Sequence, residues 1–376
     1  MRIMLIAILL LVTHSYGEQS GQPTLKQAFK GDFLIGAAIS KPLFEEETFA
    51  TLNMVAGQFS SVSSCNMLKW GSFNPEPGVY NHETADAYVK FGTENKMYVV
   101  GHVLFWHNQT PKWVFLDEKG ETVDRAELLR RMRERVRHVS KRYGTRIQAW
   151  DVVNESFMGS GKLRDSQWTR IIGSDFIEQA FRIAEEELPE GVELIYNDYS
   201  MTGKGKRDAV VRMVRELKEK GVLIDGVGLQ GHWSKKGPSI SEIEASIIAF
   251  SEAGVGVHIT ELDIDMLPRK EGMWGADVAK RLVGDARMDP YRDGLPEARQ
   301  QELAKRYADL FQLFLKHKDK IKRVTFWGTT DKYSWLNNWP IKGRISYPLL
   351  FDRAGKAKPA FHAVLGLKDK QATPDE

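Results

Sequence analysis

Phe33-Leu34-Ile35-Gly36-Ala37-Ala38 is the first short, β-rich apolar run after the N-terminal segment, and its reading separates two folds. Alternating strands and helices build either an open doubly wound sheet or a closed (β/α)8 barrel. The open sheet wants G-x-G-x-x-G directly after its first strand; this run lacks that spacing, which favours the barrel. Seven more runs follow, at 59–62, 97–103, 147–152, 193–197, 226–230, 256–261 and 324–327. Most are apolar enough for burial on both faces, as parallel strands covered by helices must be. Amphipathic stretches lie between them. One contains residues 182–187. A clearer one spans 298–317, where Leu303, Tyr307, Leu310, Phe311 and Phe314 share one helical face. The expectation is an α/β fold, a single-domain (β/α)8 TIM barrel over residues 18–376.

Composition excludes several classes. With 53 Lys+Arg against 50 Asp+Glu in 376 residues, the net charge of +3 creates no field for nucleic acid, and 42% hydrophobic residues exclude disorder. Residues 1–17 read as an export signal: Arg2, an apolar run over 3–12, then Ser15 and Gly17. That run is about ten residues, too short to span a ~30 Å bilayer. The expected destination is the periplasm or the medium, as a monomer with no membrane partner. Cys65 is the only cysteine, which rules out an internal disulfide and any multi-cysteine metal site.

Polar residues at strand ends carry the chemistry. The fourth run ends Trp150-Asp151-Val152-Val153-Asn154-Glu155 and the seventh ends Ile259-Thr260-Glu261-Leu262-Asp263. A carboxylate at the end of an apolar strand is costly unless paired or used. On a barrel the ends of strands four and seven converge across the mouth, and two converging carboxylates are what glycoside hydrolysis needs. Either glutamate alone is more simply a cap or an ion-pair partner. The third run adds His102, Trp106, His107, Gln109 and Trp113, a mixture of flat rings and polar side chains suited to sugar. Zinc is the rival there, but His102 and His107 lack the H-E-x-x-H pattern, and no metal or cofactor is expected. Gly159-Ser160-Gly161-Lys162 resembles a phosphate loop, yet Ser156 and Leu163 stand where that motif needs Gly and Ser/Thr. The sequons at Asn108 and Asn154 fall in the supposed cleft and read as coincidence. The interval 266–296, roughly thirty residues, is long enough to suggest a functional or covering loop over the same face.

Taken together, these blocks resemble glycoside hydrolase family 10 endo-β-1,4-xylanases from about Leu25 to Phe361. The similarity rests on Gly101–Pro111, on Trp150–Glu155 and on Tyr196-Asn197-Asp198-Tyr199. It continues through Gly228-Leu229-Gln230-Gly231-His232, Ile259–Asp263, Trp327-Gly328-Thr329-Thr330-Asp331 and Ser334-Trp335. The resemblance implies hydrolysis of xylan or xylo-oligosaccharides with retention, Glu155 as general acid/base and Glu261 as nucleophile. It also implies that His232 and Asp263 support the nucleophile and that Asn154 contacts the sugar 2-hydroxyl. Asn66, Lys69, His102, Trp106 and Gln109 match glycone contacts. Asn197, Tyr199 and Gln230 complete the expected substrate set, with Trp327 and Trp335 lining the sugar and excluding a hydroxymethyl group. One departure stands out. Cys65 and Met67 occupy positions where the family usually carries acidic residues around the Asn, which implies a reshaped glycone subsite suited to decorated or short xylan fragments. A β-glucanase and a non-catalytic sugar-binding barrel are the alternatives.

Overall fold

The computed structural model describes residues 23–45, 49–269, 278, 282 and 286–372. Residues 1–17 and much of 266–296 lie outside the described residues. Among those described, nine strands form: β1 (Leu34–Ile39), β2 (Ser61–Ser64), β3 (Tyr98–Trp106), β4 (Ala149–Asn154), β5 (Glu193–Asp198), β6 (Gly226–Leu229), β7 (His232–Ser234), β8 (Gly256–Asp265) and β9 (Ile321–Phe326). All pair in parallel, β6-β5-β4-β3-β2-β1-β9-β8, and a further β6–β8 pairing closes a ring of eight. The fold is a (β/α)8 barrel. β7 is a short addition beside the C-terminal end of β8, with His232 opposite Asp263.

Each apolar run lies on a strand, but the ends differ for a physical reason. β3 and β8 continue to Trp106 and Asp265, beyond where an apolar reading stops, because their polar residues are partnered inside the barrel mouth. β9 starts earlier, at Ile321, and takes in Arg323, which is 1% exposed despite its charge. Alternation along each strand sends one set of side chains outward to the helices and the other into the barrel. Thus Val257 and Ile259 join the main core, whereas Thr260 bonds across the interior to Asn197 of β5.

The helices form where caps and apolar stripes agree. Helix Arg125–Tyr143 starts at Asp124, whose carboxylate accepts from Glu127 N, and ends at Gly144 with φ 53°. The stripe read at 298–317 lies on helix Glu297–Lys316, and all five of its residues are buried. Phe311 stacks on Phe326 of β9 with ring centroids 6.0 Å apart. Burying each such ring stabilises the fold by about 1.5–3 kcal/mol. No described helix is long and apolar enough to cross a membrane.

Candidate active site

Glu155 is the first residue past β4. Its φ of 60° places it in the left-handed region that L-residues avoid. The side chain is 4% exposed and held from three directions. Trp106 Nε1 donates to Oε2 at 3.0 Å, while Gln230 Nε2 and Asn154 Nδ2 donate to Oε1 at 3.1 and 3.3 Å. Burial, with the charge of Asp198 and less so of Glu261, pushes its pKa up to about 7 against the pull of those donors.

Glu261 lies on β8 in the opposite electrostatic setting. Asn197 Nδ2 donates to Oε1 at 2.7 Å, and His232 Nε2 lies 3.0 Å from Oε2. The other ring nitrogen of His232 is 3.0 Å from Asp263 Oδ2, which also accepts from Trp335 Nε1 at 2.7 Å. Burial opposes ionisation of Glu261. The His232 hydrogen bond and the nearby His102, His232 and Lys69 outweigh it, so the pKa falls below the ordinary value. Burial likewise works against a charge on His232, but Asp263 and Glu261 raise it to about 9, so the ring is an imidazolium at neutral pH.

The two carboxylates are joined by three amides. Asn154 Oδ1 accepts from Gln230 Nε2 (3.2 Å) and from Asn197 Nδ2 (3.0 Å), which makes a continuous path Glu155–Gln230–Asn154–Asn197–Glu261. Asn197 reaches that position because β6 carries Gly228: a Cβ there would lie 2.4 Å from Asn197 Oδ1. A carboxyl pushed toward its neutral form and one held toward its ionised form therefore share one mouth, an arrangement that can offer a proton donor and a nucleophile.

Around them opens a cleft of about 470 Å³ lined by Asn66, Lys69, His102, Trp106, Gln109, Asn154, Glu155, Gln230, His232, Glu261, Trp327 and Trp335. His102 Nδ1 is fixed by Asp151 at 2.8 Å, and Lys69 donates to Asn66 at 3.0 Å while sitting 4.7 Å from the centre of the Trp106 ring. Three residues of the sequence-derived set do not line the cleft. Asn197 and Asp263 are fully buried behind the carboxylates. Tyr199 stands aside, accepting from Arg164 at 3.0 Å with Lys206 4.1 Å over its ring. From the third-run cluster, His107 and Trp113 are also outside the lining; Trp113 packs edge-on against Trp70 at 6.1 Å. Of the two departures, Cys65 lines the cleft, its thiol pushed up to about 12 by burial, whereas Met67 is 3% exposed and belongs to the core.

The sequence reading does not name Ser40, Pro42, Val278, Lys332, Tyr333, Asn338 and Trp339, which with Ser334 complete the lining. Ser40 directly follows β1 but carries no charge to stand out, and the others lie in loops and short helical turns away from the strand ends. Trp339, a second tryptophan four positions past Trp335, stacks its ring on that indole at 4.6 Å. Among the described residues there is no group of three or more His, Cys, Asp or Glu arranged to hold a metal ion.

Residues 24–367 match the family model described as Glycosyl hydrolase family 10. The chain belongs to that family. Among its family 10 relatives, endo-1,4-beta-xylanase A of Xylanibacter ruminicola is 41% identical over 346 residues, covering 92% of this chain and 94% of that protein. The endo-1,4-beta-xylanase of Geobacillus stearothermophilus is 38% identical, with 93% and 99% covered. A solved family 10 endoxylanase retrieved from a sugarcane soil metagenome superposes with a TM-score of 0.87 at 44% identity, over 92% of this chain and all of that one.

Proposed function

We propose that this family 10 member is an endo-1,4-β-xylanase that hydrolyses internal β-1,4-xylosidic bonds with retention, using Glu261 as nucleophile and Glu155 as acid/base. The observation that carries the reading is the divergence of two linked carboxylates: Glu155 raised to about 7, Glu261 held below its ordinary value. In the first step a Glu261 oxygen bonds to the anomeric carbon as the glycosidic C–O bond breaks. The electron pair goes to the departing oxygen, which takes the Glu155 proton. In the second, Glu155 removes a proton from water, the oxygen of that water bonds to the anomeric carbon, and the ester bond breaks to return Glu261 as carboxylate.

The neighbours acquire roles from this chemistry. The imidazolium of His232, backed by Asp263, keeps Glu261 charged. Asn154, which donates to Glu155, contacts the sugar 2-hydroxyl, while Asn66, Lys69, His102 and Gln109 take the glycone hydroxyls. Trp106 combines that position with its bond to Glu155. Trp327 and Trp335 wall the sugar, and Gln230 and Asn197 hold the carboxylates, while Tyr199, outside the lining, is left without a direct role. No cofactor takes part. Cys65, in the lining without a carboxylate, leaves room for a substituted or short xylan fragment. Export directed by residues 1–17, and a monomeric state, complete the proposal.

Reducing-sugar release from xylan and from β-glucan, by wild type and by Glu261→Ala, tests the core of it. Release from xylan by wild type alone is the expected result. Preference for glucan points to a β-glucanase, and background release by both proteins points to a sugar-binding barrel. For the Cys65 region, equal rates on plain and on glucuronate- or arabinose-substituted xylo-oligosaccharides would discard the adaptation.

A further inference from the structure

Asp198 ends β5 with no accessible surface, and its partner Lys206 is only 1% exposed. A buried ion pair is costly unless every donor and acceptor finds a partner. Here the carboxylate accepts four times. Lys206 Nζ (2.7 Å) and Tyr199 N (2.8 Å) meet Oδ1; the Tyr196 hydroxyl (2.7 Å) and Phe157 N (3.4 Å) meet Oδ2. The Tyr196 oxygen in turn accepts from Ser156 N at 3.1 Å. Two successive peptide N–H groups after Glu155 thus end on this cluster, and the N–H of Glu155 itself ends on Asn197 O at 2.9 Å. Glu155 has φ 60°. A non-glycine residue persists in that region, at a cost of roughly 1–3 kcal/mol, only where its surroundings over-determine it.

We propose that Asp198, with Tyr196 and Lys206, is the positioning module of the acid/base: it grips the turn 156–157 and so fixes the direction from which the Glu155 carboxyl meets the glycosidic oxygen. Fully buried, Asp198 touches no substrate and acts only through Glu155. Its ion pair closes within eight residues of chain, and its other oxygen reaches the neighbouring strand's turn directly at Phe157 N and through the Tyr196 hydroxyl at Ser156 N, which an ordinary structural bridge has no reason to do. The negative charge of Asp198 also favours the neutral form of Glu155. The other charged groups acting on Glu155 are Glu261 on β8, Lys69 beyond β2 and Arg164 in the loop after β4, and the variants below leave all three intact.

The inference rests on Glu155 being the acid/base, and leaving-group dependence tests the two separately. kcat/KM reports the first chemical step; a dinitrophenyl β-xylobioside needs no proton for departure, whereas xylotetraose does. Tyr196→Phe, which keeps the Asp198–Lys206 pair, is expected to lower kcat/KM on xylotetraose ~10–100-fold but by less than about threefold on the activated substrate. Asp198→Asn is expected to do the same and to move the basic limb of the pH profile to lower pH. Equal losses on both substrates, or an unmoved basic limb, would overturn the proposal. Glu155→Ala measured alongside separates the readings: if it too loses both substrates equally, the assignment of Glu155 fails. Should Asp198→Asn not fold, Tyr196→Phe decides alone.

Discussion

The proposed mechanism needs Glu155 protonated and Glu261 ionised together, so kcat/KM on xylan should fall above pH 7. It should hold on the acid side to below the ordinary carboxylate range, because Glu261 is stabilised as an anion. A pH-rate profile checks both limbs. The same burial has a stability consequence. Glu155 is harder to ionise in the folded protein than in the unfolded chain, so its ionisation costs stability from above pH 4.5, in full beyond about 7. Glu155→Gln should therefore stabilise the protein by roughly 3 kcal/mol at pH 8 and leave it nearly unchanged at pH 4, read by denaturant unfolding. His232 contributes in the same direction. With its folded pKa raised from 6.5 to about 9, the stability it adds is complete below pH 6.5 and lost as pH rises through 9.

At the scale of elements, β6 is the strand where a missing side chain matters. Gly228→Ala would drive a methyl group into Asn197 and, through it, disturb Glu261. The expected result is a loss of ~10–100-fold in kcat/KM alongside a destabilisation of ~1–3 kcal/mol. Gly57, inside helix Phe49–Gln58 with nothing within 4 Å of an added Cβ, gives the opposite outcome. Gly57→Ala should stabilise by about 0.5–1 kcal/mol without touching activity, and paired melting curves with xylan assays compare the two. This contrast marks what was legible from sequence. The eight strands and both glutamates stand out because apolar runs ending in carboxylates are local signals. The burial of Asn197 is not local: it arises where β5 and β8 meet across the interior over Gly228. Tyr199 was placed by its neighbours in the Tyr196–Tyr199 block, and only the positions of Arg164 and Lys206 reveal that it stands beside the cleft. The strand-end rule that found Glu155 applies equally to Asp198, and only its burial and its bond to Lys206 show that it is held behind the mouth rather than open to it.

Over the whole molecule, the C-terminal segment is fastened to the barrel mouth by one buried pair. Lys358 Nζ donates to Asp331 Oδ2 at 2.8 Å and to Tyr347 O at 2.9 Å, while Asp331 Oδ1 accepts from Leu349 N at 2.9 Å. Asp331→Asn strands a buried ammonium and should cost about 3 kcal/mol or more in denaturant unfolding; adding Lys358→Met should recover part of that loss. Dialysis against EDTA is expected to leave xylan hydrolysis unchanged, since the proposed chemistry uses carboxylates alone. The indole of Trp335, anchored through Nε1 to Asp263 and lying face to face with Trp339, also makes the cleft optically legible. Trp106 and Trp327 share the lining, so the ligand-dependent part of the emission in a titration with unlabelled xylotriose would follow occupancy without any attached dye, and Trp335→Phe should diminish it.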